Sequence, residues 1–361
     1  MKIGHVETRL YELPPHREIE DAVQRFVNME LVMVRIVTAS GAEGCGFTYT
    51  IGQGGRAIKA LLDSAVVPLL QGEDALAHER VWDKLWRALH WVGRSGLFSL
   101  AQSAVDIALW DLKARVQGLP LYRMLGGFRE AVPAYTTDGG WLNHTKSALV
   151  AEAGELLAMG FTAMKVKVGK ATLSEDLGRL TAVREAIGPD VGLMVDANMC
   201  FTVGEAVRRA RALGALDLLW FEEPLEPDDV RGHQQVQAAV TTPVAVGESL
   251  YNRFAFAEYV RCNAARVLQP DVCRLGGVTE WMRVAALAAA HDLPVVPHFV
   301  PDLHIHLAAA TPAARFVEYI PFLDRFLEEP LRVEGGRLSP PDRPGHGILF
   351  HEARMAPHRL A

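Results

Sequence analysis

Three carboxylates recur at equal intervals in the second half of the sequence. Asp196, Glu222 and Glu248 each end a short apolar run, and successive members are about 26 residues apart, roughly one strand–helix unit. Because neighbouring parallel strands end on the same side of a sheet, these side chains should lie close together. Grouped away from water they would repel one another unless a cation lay between them. Oxygen ligands select a hard cation, and we predict Mg²⁺. Taken singly, each could instead be a helix N-cap or a surface ion-pair partner.

Two lysines lie in the run that precedes Asp196. Lys165 and Lys167 alternate with Met164, Val166 and Val168, so a period of two places both lysines on one face of a strand. An exposed edge strand with solvated lysines is the simplest alternative. The three carboxylates that follow instead favour lysines that point into the same site. Mutual repulsion should lower the basicity of the pair, which would suit Lys167 to proton transfer.

Further polar residues end the later runs. Asp271, His298 and Glu318 follow in sequence order, so Asp271 and His298 should be spatial neighbours. An adjacent carboxylate fixes the tautomer of an imidazole and raises its basicity. We therefore predict that His298 is an acid or base on the side of the metal opposite Lys167.

The elements that must position these residues are short apolar runs separated by helical segments. Such repetition predicts a closed parallel (β/α) barrel, whereas a doubly wound sheet is disfavoured because no run leads into a GxGxxG loop. The predicted strands are Val132–Thr137, Ala163–Gly169, Gly192–Asn198, Leu218–Pro224, Pro243–Ser249, Val267–Cys273, Pro294–Val300 and Phe316–Ile320.

The first part of the chain has a different pattern of apolar residues. Val32, Val34 and Ile36 share one side of a predicted strand, and helical spacing follows to about residue 116. The fold class is therefore α/β, a modified TIM-type barrel with an N-terminal α+β capping domain. We predict a cap over residues 1–127, a barrel over 128–325 and a C-terminal segment, 326–361, that returns to the cap.

Composition excludes several classes of function. With 361 residues, a net charge of -6 and no long basic run, the chain offers no face for nucleic acid. No apolar run reaches the roughly 18 residues that span a bilayer, so no membrane partner and a cytoplasmic location are expected. Cys45, Cys200, Cys262 and Cys273 have no CxxC spacing, so neither a zinc site nor a disulfide framework is predicted. We expect Cys200 to be a buried thiol, with a place in the pocket as the alternative.

These motifs together resemble the mandelate racemase subgroup of the enolase superfamily over essentially the whole chain. The resemblance is carried by Lys165-Val166-Lys167, Val195-Asp196-Ala197-Asn198, Phe221-Glu222-Glu223-Pro224, Gly247-Glu248, Asp271, His298 and Glu318. It implies Mg²⁺ held by Asp196, Glu222 and Glu248, with Lys167 and His298 as the acid/base pair. It also implies that Asp271 orients His298.

The substrate contacts are likewise implied. Glu318 would donate a hydrogen bond to the substrate carboxylate, Lys165 would touch the same group, and Asn198 would bind the substrate. The resemblance also places the loop 13–17 in the pocket. From the cap, we predict that His16, Arg17, Thr48 and Tyr49 bind hydroxyls and a second carboxylate, although His16 and Arg17 could instead be solvated.

Finer motifs are similar to galactarate/talarate dehydratases, among them Asp138-Gly139-Gly140-Trp141-Leu142 and His304-Ile305-His306-Leu307. We predict removal of the proton beside a carboxylate through an enediolate, with dehydration of an aldarate such as galactarate to a 2-keto-3-deoxy acid. A racemase or epimerase of a 2-hydroxy acid, and a non-catalytic metal-containing binding protein, are the alternatives. The partners predicted are a small carboxylate substrate and further copies of the chain. His304 and His306 are expected to begin a helix rather than to bind a second metal.

Overall fold

In the computed structural model, which describes residues 1–360, the chain begins with an antiparallel sheet. Its strand β4 pairs with β1 on one side and with β5 on the other, while β2 and β3 form a separate hairpin. The strands are β1 (Ile3–Leu13), β2 (Ile19–Glu20), β3 (Arg25–Phe26), β4 (Met29–Thr38) and β5 (Glu43–Ile51).

Helices cover one face of this sheet. They are α1 (Gly55–Leu61), α2 (Val67–Leu70), α3 (His78–Ala88), α4 (Leu97–Val116) and α5 (Leu121–Met124). Val32, Val34 and Ile36 are fully buried under them, which confirms the predicted strand face. At Gly46 the strand lies directly on α4, where a Cβ would come within 2.2 Å of the Ala104 carbonyl oxygen. A glycine is therefore required for this close approach.

A curled, mostly parallel sheet with helices outside it makes up the second part of the chain. The strands are β6 (Val132–Thr136), β7 (Ala163–Lys167), β8 (Gly192–Asp196), β9 (Leu218–Glu222), β10 (Val244–Val246), β11 (Val267–Leu268) and β12 (Val317–Tyr319). The helices are α6 (Lys146–Ala158), α7 (Leu173–Ile187), α8 (Val203–Leu213), α9 (Val230–Ala239), α10 (Arg253–Arg261), α11 (Val278–Ala290) and α12 (Pro301–Ala310). The strand order β11-β10-β9-β8-β7-β6-β12 agrees with the predicted (β/α) barrel.

The barrel closes through one residue rather than through the strand predicted over 294–300. Val295 bridges Leu268 on one side and Ala314 on the other. After it the backbone leaves the extended conformation, since Phe299 and Val300 both have positive φ, at 53° and 39°. Left-handed geometry costs about 1–3 kcal/mol for a non-glycine residue. The predicted strand is therefore wrong beyond Val295.

Alternation along β7 matches the sequence interpretation. Lys165 and Lys167 are buried and point into the barrel, whereas Met164 and Val166 pack in the layer between sheet and helices. Below the lysines, a separate apolar cluster that includes Tyr135 fills the barrel. The charged residues therefore lie at one end of a barrel whose other end is closed by packing.

The C-terminal segment contacts both parts of the structure. It contains β13 (Arg337–Leu338), α13 (Glu352–Met355) and β14 (Arg359–Leu360). β13 pairs with β6 of the barrel, and β14 pairs with β1 at the edge of the N-terminal sheet. Within residues 1–360, no helix has the length and apolarity needed to cross a membrane.

Candidate active site

The three predicted metal ligands meet at the carboxyl ends of adjacent strands. Asp196 ends β8 and is in register with Glu222 at the end of β9, while Glu248 follows β10. Their ligand oxygens lie within 4.8 Å of one another. Asp196 and Glu222 are buried, and burial with the nearby Asp196 charge raises the pKa of Glu222 to about 7.

The unpaired oxygens of this cluster suit a divalent cation. Oε2 of Glu248 is buried without a hydrogen-bond partner in the described chain, although Nε2 of His298 lies 3.2 Å from it. Oδ1 of the neighbouring Asn198 is also buried and unpartnered. Buried oxygens without partners are costly unless an ion or water satisfies them. An all-oxygen set of three carboxylates fits Mg²⁺.

Both lysines donate to the cluster. Nζ of Lys165 lies 2.6 Å from Oε1 of Glu222 and 2.9 Å from Oε1 of Glu318, and Nζ of Lys167 lies 2.5 Å from Oδ2 of Asp196. Burial opposes a charge on Lys167, but Asp196 outweighs it and the pKa of Lys167 is raised to about 12. The predicted lowering of lysine basicity is therefore wrong for this arrangement, because attraction to the carboxylates exceeds repulsion between the lysines.

His298 lies at the other end of the carboxylate row. Its Nδ1 is 2.9 Å from Oδ2 of Asp271, the partner predicted for it. Asp271 is held in turn, since the hydroxyl of Tyr49 donates to Oδ2 at 2.5 Å and the amide of Cys273 donates to Oδ1 at 2.7 Å. Burial opposes protonation of the imidazole, but Glu248 and Asp271 raise the pKa of His298 above its ordinary value.

Glu318 is an acceptor in this structure. Thr137 donates its hydroxyl to Oε1, and the amide of Phe299 donates to Oε2 at 2.8 Å. Burial would raise the pKa of Glu318, but the adjacent Lys165 ammonium holds it at about 2. Its role as a hydrogen-bond donor to substrate therefore stays a prediction.

A cavity of about 270 Å³ opens above these groups. Lys167, His298, Glu248, Glu318 and Asn198 line it, so the structure brings these five predicted site residues to one space. Lys165 lies below it, buried against the carboxylates.

Of the predicted cap residues, Tyr49 lines the cavity, but His16, Arg17 and Thr48 are not among its described lining residues. His16 binds Asp138 at 2.7 Å, and Arg17 donates to Glu152 at 2.9 Å. These bonds hold the loop to the barrel. The role predicted for these side chains in substrate binding stays a prediction, and the described cap lining comes from residues 19–26 and 49–51.

Thr48 faces the opposite side of its strand from Tyr49, as period two requires, and its hydroxyl donates to the Cys273 carbonyl at 2.7 Å. We expect Thr48→Val to lower the free energy of unfolding by about 1–3 kcal/mol, because the buried carbonyl loses its donor. Denaturant titration measures this loss. Thr50→Val is the matched control, because it makes the same substitution at a residue that does line the cavity. A raised KM in Thr48→Val with unchanged stability would restore the binding role.

Three further residues near the site were missed. Gln269 donates to Oε2 of Glu222 at 2.5 Å, Arg274 lies 3.7 Å from Glu248, and the indole of Trp141 lies 5.4 Å from Nζ of Lys167. Gln269 precedes Asp271 by two positions in an apolar run, so the alternation that identified Asp271 also marks it. Arg274 and Trp141 are in loops, where the sequence has no comparable signal.

The structure also shows where His304, His306 and Cys200 lie. His304 and His306 lie in α12 as expected, and their ring nitrogens bond backbone groups, among them the Phe299 carbonyl at 2.6 Å and the His346 carbonyl at 2.8 Å. They are therefore engaged in packing rather than in a second metal site. Cys200 is exposed, which corrects the expected buried thiol, and it is not among the described cavity-lining residues.

A curled parallel sheet with carboxylates, lysines and a His–Asp pair at its strand ends defines a metal-assisted acid/base enzyme of the barrel class. Residues 5–126 match the family described as mandelate racemase / muconate lactonizing enzyme, N-terminal domain, and residues 148–354 match the family described as enolase C-terminal domain-like. The chain belongs to the enolase superfamily, in the mandelate racemase group.

Relatives with different reactions cover almost the whole chain. The 3,6-anhydro-alpha-L-galactonate cycloisomerase of Streptomyces coelicolor is 40% identical, covering 99% of each chain. The L-talarate/galactarate dehydratase of Salmonella typhimurium is 36% identical over 97% of this chain and 89% of its own. Enzymes of this family are thus both lyases and isomerases.

Solved structures agree closely with the fold. A racemase from Streptomyces coelicolor with bound magnesium has a TM-score of 0.96 at 39% identity, covering 99% of this chain and 100% of its own. A mutant of L-talarate/galactarate dehydratase, liganded with Mg and L-glucarate, has a TM-score of 0.95 at 35% identity, covering 100% of this chain and 92% of its own. These relatives bind the cation that the carboxylate cluster fits.

Proposed function

We propose that this enzyme removes the α-proton of a sugar acid and expels the oxygen substituent on the next carbon. One observation carries the proposal. Lys167 contacts Asp196 at one end of the carboxylate row, His298 contacts Glu248 at the other, and both line one cavity. Two proton-transfer groups on either side of a bound acid are what such an elimination requires.

Asp196, Glu222 and Glu248 would hold Mg²⁺, which supplies electrophilic stabilisation of the negative charge that develops on the carboxylate. One of Lys167 and His298 takes the α-proton, and the other donates a proton to the departing oxygen. Asp196 raises the pKa of Lys167 and Glu248 raises that of His298, and both carboxylates are proposed metal ligands. A divalent cation bound to them would lower both pKa values, so that the group that acts as base could be unprotonated near neutral pH.

The class of the reaction depends on which oxygen substituent leaves. When it is a hydroxyl, water is lost and the enol tautomerises to a 2-keto-3-deoxy acid, which is the predicted dehydration. When it belongs to an anhydro ring, the same bond cleavage opens the ring and no atoms are lost. The two kinds of reaction named among the relatives are therefore compatible with one set of acid/base residues.

Epimerisation is the second candidate. The observation that favours it is again the pair Lys167 and His298, since a base on each side of the α-carbon can remove a proton from one face and return one to the other. It differs from elimination in leaving the C3 oxygen in place.

The test is to incubate the Mg²⁺ enzyme in D₂O with six-carbon aldonates, aldarates and anhydro-aldonates. We expect a 2-keto-3-deoxy product from at least one of them, detected as its semicarbazone. Deuterium at C2 with inversion and no keto acid would instead establish epimerisation. A Lys167→Ala/His298→Asn double variant is the control for non-enzymatic exchange. Neither product nor exchange with any acid would contradict the proposal.

A further inference from the structure

The hairpin of β2 and β3, with the turn between them, forms part of the lining of the cavity. Asp21 lies in its turn, lines the cavity and is 5% exposed. Its Oδ1 accepts the backbone amides of Val23 and Gln24 at 2.7 and 2.8 Å. Oδ2 has no hydrogen-bond partner among residues 1–360. The turn therefore fixes the carboxylate and leaves one oxygen available to a bound molecule.

Cationic side chains around the cavity are already engaged by the acids of the reacting end. Among the described lining residues they are Lys167, Arg274 and His298. Lys167 pairs with Asp196, and His298 pairs with Asp271. Arg274 lies 3.7 Å from Glu248 and donates to the Tyr251 hydroxyl at 3.1 Å.

The cap contributes no cation to the described lining. Asp21 is its one charged group there, since His16 and Arg17 are bound to Asp138 and Glu152 outside the cavity. The rest of the cap lining is apolar or neutral, as at Phe26 and Gln24. A sugar acid held at the strand ends would place its far end against this cap lining.

From this placement we infer that Asp21 selects sugar acids whose far end is neutral, so that the substrate is a monocarboxylate rather than an aldarate. A distal hydroxyl donates to Oδ2 of Asp21 in a charge-assisted hydrogen bond. A second carboxylate meets a like charge in a partly desolvated space with no free cation. The inference rests on the proposed function and names its substrate class.

Two further points support it. Burial raises the pKa of Asp21, although Lys167 opposes the shift, so a single carboxylate is already costly at this position. The expectation of a dicarboxylate is motivated by the resemblance to galactarate/talarate dehydratases and by His16, Arg17, Thr48 and Tyr49, of which Tyr49 alone is among the described lining residues. His16 and Arg17 are paired with Asp138 and Glu152, which weakens the part of that support that they supply.

The experiment compares acids that differ only at C6: galactonate with galactarate, gluconate with glucarate, and mannonate with mannarate. For each pair, kcat/KM for the keto product or for α-deuterium exchange is measured with the Mg²⁺ enzyme. We expect the aldonate of the reactive pair to be preferred by at least about tenfold. Asp21→Asn, which keeps an acceptor for the turn, should move this ratio towards the aldarate by at least about tenfold.

Glu20→Gln is the matched control, because it removes a neighbouring negative charge from the exposed side of the hairpin and should leave the ratio unchanged. A wild-type preference for the aldarate would overturn the inference without any variant. So would an unchanged ratio in Asp21→Asn. Absence of product and exchange with all six acids would contradict the proposed function itself, which distinguishes the two failures.

Discussion

Lys167→Ala and His298→Asn each lower kcat by at least about 10³-fold, because each variant lacks one of the two proton-transfer groups of the cavity. The two variants should differ in what they retain. The group that survives can still exchange the α-proton of an acid whose C2 configuration presents that proton to it. Deuterium incorporation at C2, followed by NMR for both C2 epimers, measures the difference.

Lys170→Ala is the control for this experiment, since Lys170 lies shortly after the same strand but is not among the described lining residues of the cavity. Near-native turnover in Lys167→Ala or in His298→Asn would remove that residue from the chemistry. Loss of exchange at both C2 epimers in both variants would show that the two groups do not act on separate faces.

Chelation of the metal abolishes activity, and added Mg²⁺ restores it. The expectation follows from three carboxylates with oxygens within 4.8 Å of one another and from Oε2 of Glu248, which is buried without a hydrogen bond among residues 1–360. Glu222→Gln should lose activity at all Mg²⁺ concentrations tested, because it removes the central charge of the cluster. Calorimetric titration with Mg²⁺ measures binding independently of turnover.

Glu226→Gln is the matched control, because Glu226 is exposed in the loop after the same strand. It should bind Mg²⁺ and turn over like the unaltered enzyme. Full activity in verified metal-free protein would contradict the assignment of this cluster as the metal site, as would undiminished Mg²⁺ binding in Glu222→Gln.

The residues that the sequence located correctly are those constrained by strand geometry. Side chains alternate with a period of two, and successive parallel strands end on the same side of a barrel. The sequence alone therefore predicts that Asp196, Glu222 and Glu248 lie close together. It predicts the same of Asp271 and His298. The domain division at residues 127/128 and 325/326 stays a prediction.

What the sequence could not specify depends on contacts between distant segments. His16 is held by Asp138 and Thr48 by the Cys273 carbonyl, and neither pairing has a local signal. The pKa of Lys167 depends on how close its ammonium lies to the Asp196 carboxylate, which raises it, and to the Lys165 ammonium, which lowers it. The sequence does not define these two distances. Barrel closure at Val295 likewise depends on both neighbouring segments.

The pairing of β14 with β1 joins Leu360 to Leu10, so one edge of the N-terminal sheet is completed by residues from the far end of the sequence. During synthesis that edge stays open until the barrel strands have been translated, because residues 359–360 follow them in the sequence. Contacts of such large sequence separation slow folding, since the intervening chain must be ordered first. The N-terminal sheet can therefore gain its last strand only after the barrel sequence has been made.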